Sequence, residues 1–425
     1  MASKTPPVKG QTGVTPRIIV HGGAGNITRK TITKEKYEAY QASLLRILAS
    51  SAERLNEPGA TALDIATYAV SLLEDDPLFN SGKGAVFTRD GKNELECSIM
   101  VSNGYRKRGV GCMMLQRVRN PIKLARELLL RGEMDGGDGS GDHCQYSGPF
   151  VERLAEKWGL EMVDPGYFFT QQRWDEHERG LKEEKKKENA LDGNEMSDWE
   201  RENYIPLGTC GAVVLDSFGT VCAATSTGGL TNKVPGRIGD TPTVGAGFWA
   251  GEWHDEGRPQ MQYQAAVQQP RSTPLDKLSR GKIGSLIGDC FAVETPDSTG
   301  SAKVPNEKAW PSGRKRRAIG LSGTGNGDSF LRLSAASTTA NRSRFSQTSL
   351  AQAVRWMAGP GGELQKSAGE RWGRTHEGTG GMIGIELVGD GRGEVVFDFN
   401  CGGMFRAWID DEGEHRCLVF REEGY

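Results

Sequence analysis

Leu207-Gly208-Thr209-Cys210-Gly211-Ala212-Val213-Val214-Leu215-Asp216 marks the point where the chain changes character. Before it lies a charged segment with too little apolar content to fold alone. After it, Cys210 to Leu215 and Val221 to Thr225 are almost wholly apolar, as strands covered on both faces are. Joined across Asp216-Ser217-Phe218-Gly219, they predict a hairpin. A turn closing symmetrically about Ser217 and Phe218 sets Cys210 against Thr225 and Thr209 against Ser226, which leaves Thr227 one residue from Thr209. A threonine hydroxyl is a weak nucleophile near neutrality and needs an adjacent base. The α-amine of a chain beginning at Thr209 would be such a base, because it titrates at about 7.7 to 8.0. Gly208 before it suits a closely approached, strained peptide.

Downstream comes the polar run Gly228-Gly229-Leu230-Thr231-Asn232-Lys233-Val234-Pro235-Gly236-Arg237-Ile238-Gly239-Asp240. The guanidinium of Arg237 can fork onto a carboxylate and Asp240 can accept from an ammonium, so the pair would clamp the two ends of an α-amino acid. Gly323-Thr324-Gly325-Asn326-Gly327-Asp328 supplies small residues, free N–H groups and a hydroxyl, which are the parts of an oxyanion hole. It lacks the lysine and the spacing of a phosphate-cradling loop. His21, before Gly22-Gly23, has no Gly-x-Ser-x-Gly elbow to accompany it and is expected to be a packed strand-end residue.

The rest of the chain builds around these segments. Its 425 residues suffice for one large or two ordinary domains, and a formal net charge of -2 supplies no general field for nucleic acid or an anionic membrane. Eight cysteines stand singly, without the close pairs of a zinc or redox site, so they are expected to be reduced thiols of a cytoplasmic protein. No apolar run is long enough to span a bilayer.

Residues 1–15 are expected to be a disordered tail and 16–425 a single domain. Arg17 to His21 predicts a strand ending at Gly22-Gly23-Ala24-Gly25; Lys34 to Leu55 has helical apolar spacing, and a second helix is expected to start at the N-cap Thr61. A tight loop from Asp75 to Gly84 precedes strands at Ala85 to Phe87, Leu95 to Met100 and Gly109 to Leu115. Asn120-Pro121 then opens a helix to Leu130. Residues 134–206 look like a surface linker with one helix near Val151 to Trp158, most flexible from about 165 to 206, and a low-order insertion is expected from about 253 to 312. A strand to Leu321, the loop Ser322 to Asp328, helices at Ser329 to Ala335 and Leu350 to Met357, and strands at Met382 to Leu387 and Glu394 to Phe399 complete the reading.

Several blocks, in order, resemble the plant-type asparaginase/isoaspartyl peptidase family of N-terminal-nucleophile hydrolases. They are Ile19 to Gly25, Pro77 to Phe87, Gly208 to Val213, Ala224 to Asp240 with Gly245-Ala246-Gly247, Thr324 to Asp328, and Gly403 to Ala407. The resemblance implies an α+β fold, a four-layer αββα sandwich. It also implies a precursor that cuts itself between Gly208 and Thr209 into an α subunit, 1–208, and a β subunit, 209–425, usually as a dimer of such pairs. Carried over by motif, Thr209 would be the nucleophile and Thr227 its hydroxyl partner. Thr324 and Gly325 would form the oxyanion hole, with Asn80 supporting the cleavage site. Arg237, Ile238, Gly239 and Asp240 would hold the substrate, helped by Thr324, Gly325, Asn326 and Gly327.

The implied substrates are L-asparagine and β-aspartyl dipeptides, with no organic cofactor. In some members a loop binds sodium through carbonyl oxygens, here those of Leu73, Glu74, Asp76, Phe79, Ser81 and Lys83. The chain departs from the family pattern at Val101-Ser102, at Cys210, at Cys401-Gly402, and in its long insertion. A glycosylasparaginase would carry an acidic residue where Gly208 stands, and a threonine aspartase would lack the Arg237–Asp240 clamp. An unprocessed, inactive scaffold is the reading from a different class.

Overall fold

The computed structural model describes residues 13–134, 137–188, 208–255, 315–422 and 424–425. The chain divides into two units, residues 1–253 with 316–425, and residues 254–315. Nearly all of the second, and with it most of the expected insertion, lies outside the described residues, as do 189–207 of the expected linker.

In chain order the elements are β1 (Arg17–Gly25), α1 (Lys34–Leu55), α2 (Ala62–Asp75), β2 (Leu95–Val101), β3 (Gly109–Leu115), α3 (Pro121–Arg131), β4 (Gln145–Ser147), α4 (Gly148–Lys157) and α5 (Gln171–Glu188). They continue as β5 (Cys210–Leu215), β6 (Val221–Thr227), β7 (Phe248–His254), β8 (Arg316–Gly325), α6 (Gly327–Leu333), α7 (Ala335–Phe345), α8 (Leu350–Ala358) and α9 (Glu363–Ser367). The last are β9 (Gly380–Val388), β10 (Glu394–Phe399), β11 (Gly403–Ile409) and β12 (His415–Leu418). Two sheets result, one in the order β12-β11-β1-β5-β6-β2-β3-β4 and the other β10-β9-β8-β7.

Side-chain alternation assigns the faces. From β1, β5 and β6, Ile18, Val20, Ala212, Val214, Cys222 and Ala224 join Leu44, Leu48, Ala66 and Val70 of the helices α1 and α2 in one core. Their neighbours Ile19, Val213, Leu215, Val221 and Ala223 join Ala318, Ile383, Ile385 and Leu387 of the smaller sheet in a second core. A third core sets Ile319, Leu321, Met382 and Val396 against Leu350, Val354 and Met357 of α8. Each fully buried aliphatic side chain contributes roughly 1.5–3 kcal/mol relative to exposure. Among the described residues no helix is long and apolar enough to cross a membrane.

The helix caps Thr33 and Thr61 accept from Lys36 N and Asp64 N, as N-cap threonines do. Asn120 stands at the expected N-cap of α3 but makes no capping bond; its amide donates to Asp75 Oδ1 at 3.1 Å.

Five expectations are corrected. β1 runs on through Gly22 to Gly25, with a bulge between His21 and Gly23 that the glycines accommodate. Ala85 to Phe87 is irregular, and only Thr88 forms an isolated bridge, to Lys233. Ser322 to Gly325 is the end of β8 rather than loop, and α7 follows α6 directly. Residues 171–188 form α5 instead of a linker, because Arg173, 1% exposed, donates to the carbonyls of Gly84 at 2.9 Å and Leu78 at 2.9 Å. The hairpin register is shifted by one: Cys210 pairs with Ser226 and Gly211 with Thr225. Asp216 Oδ1 accepts from Phe218 N and Thr220 N at 3.0 and 2.9 Å, which makes a longer turn than a symmetric four-residue one.

Candidate active site

The shifted register has a chemical consequence. Continued by one residue, it sets Thr209 directly opposite Thr227 instead of Ser226. Both side chains then face the same way at the strand ends, buried and lining a cavity of about 250 Å³. Thr209 Oγ1 lies 2.9 Å from Thr241 Oγ1, while Thr227 Oγ1 accepts from Gly229 N at 3.0 Å.

Asn80 holds this corner from behind. Its amide donates to Gly229 O at 2.8 Å, its Oδ1 accepts from Val86 N at 3.1 Å, and its carbonyl accepts from Gly228 N at 3.0 Å. The buried side chain thereby fixes the turn that carries the Thr227 bond. Gly208 crosses β1 at Gly23, where φ is +120° and a β-carbon would come within 3.0 Å of Gly208 N. On its other side Gly208 meets Thr324, whose Oγ1 also accepts from Ala24 N at 3.2 Å. Gly325, at φ +141°, turns the end of β8 into the pocket beside Asn326 and Gly327. Asn326 caps α6, its Oδ1 accepting from Ser329 N at 3.0 Å.

Arg237 and Asp240 line the same cavity and converge at Gly327. A β-carbon on Gly327 would lie 2.6 Å from Asp240 Oδ1 and 3.0 Å from Arg237 Nη2, so the two charges and the N-terminus of α6 enclose one small space. Arg237 Nη2 stands 3.2 Å from Asp328, and Asp240 Oδ2 is buried with no hydrogen-bond partner. Burial, with the charge of Glu96 second, pushes the Asp240 carboxyl up to about 7, against the pull of Arg237. Ile238, 37% exposed, does not line the cavity, and Gly239 directs its N–H to Glu96 Oε1 at 3.1 Å.

Several pocket residues escaped the sequence reading, and three of them, in different segments, show why. Glu96 lies on β2 opposite Thr227, accepts from Gly239, and stands 3.7 Å from Lys233 Nζ. Its signal was the one charged side chain in a strand that is apolar apart from Ser98. Thr241 follows Asp240 with nothing in the sequence to mark it. The third, Gly180, belongs to α5, which walls the cavity with Glu176, Glu183 and Glu184. Glu184 is paired with Arg89 at 2.8 Å, and Glu176 with Arg173 at 2.9 Å.

His21 is fully buried, with Nε2 2.7 Å from Ser322 Oγ; burial lowers its imidazole to about 3, so it stays neutral, a packed strand residue as expected. The loop after α2 presents backbone oxygens of the kind sodium takes. The carbonyls of Leu73, Asp76, Phe79 and Ser81 each accept one backbone N–H and retain a second lone pair. Gly82, at φ +48°, closes tightly on Glu74 O.

Residues 14–254 match the protein family described as Asparaginase. The chain is 30% identical over 407 residues to the isoaspartyl peptidase of Escherichia coli, spanning 96% of this chain and 97% of that one. It is 39% identical over 255 residues to a putative isoaspartyl peptidase/L-asparaginase of Dictyostelium discoideum, 55% of this chain and 70% of the relative. To the isoaspartyl peptidase/L-asparaginase of Homo sapiens it is 34% identical over 235 residues, 55% and 67% of the two.

Proposed function

Since the chain belongs to the asparaginase family, we propose that it is an amidohydrolase that releases ammonia from L-asparagine and amino acids from β-aspartyl dipeptides, through an acyl-enzyme on Thr209. The observation that carries this reading is the orphaned Asp240 Oδ2, buried near Arg237 in the wall of the same small cavity that Thr209 lines. A buried carboxylate without a partner is unfavourable by about 1–3 kcal/mol or more, and an incoming ammonium would satisfy it.

The chemistry starts with a cut between Gly208 and Thr209, which frees the α-amine. That amine takes the proton from Thr209 Oγ1 as Oγ1 bonds to the side-chain carbonyl carbon of the substrate. The oxygen of that carbonyl becomes an oxyanion, held by Thr324 Oγ1 and Gly325 N–H. The carbon–nitrogen bond then breaks, the leaving nitrogen takes the proton, and an ester to Thr209 remains. Water, deprotonated by the same amine, attacks the ester and releases aspartate, returning the proton to Oγ1. Arg237 holds the α-carboxylate and Asp240 the α-ammonium throughout, and Asn80 keeps Thr227 beside the cleavage site.

The three cores, helices on the larger sheet, sheet on sheet and α8 on the smaller sheet, support a four-layer αββα sandwich. Cleavage would give α and β subunits from one precursor, and the family resemblance implies a dimer of such pairs. Leu73, Glu74, Asp76, Phe79, Ser81 and Lys83 would hold sodium through their carbonyls. The ion would supply a fixed positive charge that stiffens the loop after α2. Seven described cysteines are free, in keeping with a cytoplasmic location.

Denaturing mass measurement of the purified chain, coupled to an ammonia assay with asparagine, tests the reading. Two fragments, the second beginning at Thr209, together with ammonia release are expected. A single intact chain without activity would sink it.

A further inference from the structure

The loop that carries the clamp also touches the proposed nucleophile. Thr241, the residue after Asp240, is 1% exposed, and its Oγ1 is 2.9 Å from Thr209 Oγ1. Thr227, which faces Thr209 in the strand register, uses its own oxygen to accept from Gly229.

Thr241 is pinned on both sides. Its carbonyl accepts from Thr225 Oγ1 at 3.4 Å, and Thr225 in turn bonds to Ser98. The preceding carbonyl, of Asp240, accepts from Thr243 N at 3.0 Å and Gly247 N at 3.1 Å. A threonine side chain has three staggered χ1 wells, and a hydrogen bond to a fixed partner selects one of them.

We propose that Thr241 is a further catalytic residue: its hydroxyl holds Thr209 Oγ1 in the attacking rotamer and links the ammonium-binding carboxylate to the nucleophile. This role rests on reading Thr209 as the nucleophile. As Thr209 Oγ1 gives up its proton, the Thr241 O–H donates to the oxygen that is gaining negative charge. Asp240 and Thr241 are consecutive, so seating an α-ammonium on the first fixes the backbone of the second. A substrate without an α-amine therefore loses rate as well as affinity.

Wild-type, Thr241→Val, Thr241→Ala and Thr241→Ser are purified as full chains and compared for cleavage by denaturing mass, for thermal midpoint, and for kcat and KM of ammonia release in the cleaved fraction. Losing one neutral hydrogen bond to the reacting atom corresponds to about a tenfold fall in kcat, with KM within about threefold. The serine variant keeps its hydroxyl and is expected within about threefold of wild type. A valine or alanine chain that keeps its melting point but stays uncut, beside a serine chain that is cut, supports the role through the precursor step. Unchanged kcat in both valine and alanine, a loss confined to KM, or an equal loss in serine overturns it. A wild-type chain that neither cuts nor releases ammonia overturns the functional reading and this role with it.

Discussion

Gly208 and Thr324 are packed so closely that a β-carbon at position 208 would overlap the Thr324 hydroxyl and meet Ala24 N and O at 3.1 Å. Gly208→Ala would force apart the proposed scissile peptide and the oxyanion-hole hydroxyl, an overpacking worth about 1–3 kcal/mol. Cleavage is expected to slow by at least about tenfold, with the chain persisting at full length in a denaturing mass time course. Cutting at the wild-type rate would refute this packing argument.

Arg237→Ala removes a charge-assisted contact worth roughly 1.5–3 kcal/mol. The loss should appear as a rise in KM of about tenfold or more, with kcat changed less, because the α-carboxylate is held equally before and during the reaction. Steady-state ammonia release measures both.

The Asp240 carboxyl, raised to about 7 chiefly by burial, must be ionised to hold an ammonium. Its folded value lies above its ordinary 3.8. Its ionisation therefore opposes folding progressively as pH rises between those values, a tension that bound ammonium relieves. Product aspartate should bind the cut protein more weakly as pH falls through about 7. In Asp240→Asn that dependence should flatten while binding stays weak throughout, as titration calorimetry would register.

Asn80→Asp exchanges the amide that donates to Gly229 O for a carboxylate oxygen that repels it. The Gly228–Gly229 turn, and with it the N–H on Thr227 Oγ1, should shift, slowing cleavage by about tenfold for a lost bond of about 1–3 kcal/mol. A gel time course of precursor against fragments reads this directly.

Glu74 is fully buried beside Ser226 and Ile122 N, and burial lifts its carboxyl to about 8. Its folded value lies above the ordinary 4.5, so its contribution is most favourable below 4.5 and is lost as pH rises toward about 8. Glu74→Gln, which keeps the acceptor on Oε1, should hold its melting point over that interval while the parent's declines. Parallel curves would show that Glu74 ionises without penalty.

Much of this site could be read from residue types. The hairpin was legible from its unbroken apolar strands, and the clamp from two opposite charges in a glycine-rich run. The register was not, because a four-residue and a five-residue turn fit the same letters until Asp216 is seen bonding Phe218 N and Thr220 N. Nor was α5, whose charge density suggests a solvated linker. Its order comes from Arg173 reaching carbonyls about ninety residues earlier in the chain, a contact that local pattern cannot contain.

The strand order of the larger sheet has a kinetic meaning. β1, from before Gly208, is paired on one side to β11 and on the other to β5, and β2 is paired to β6, all three of these partners coming from after it. A cut at Gly208 would leave two polypeptides woven through one set of backbone hydrogen bonds. They could not come apart without tearing open the sheet, however dilute the solution. Unfolding would then change molecularity: the uncut chain refolds in a first-order process, whereas the two pieces must find each other in a second-order one. Processing, once done, would convert a reversible fold into one that is easy to keep and slow to rebuild.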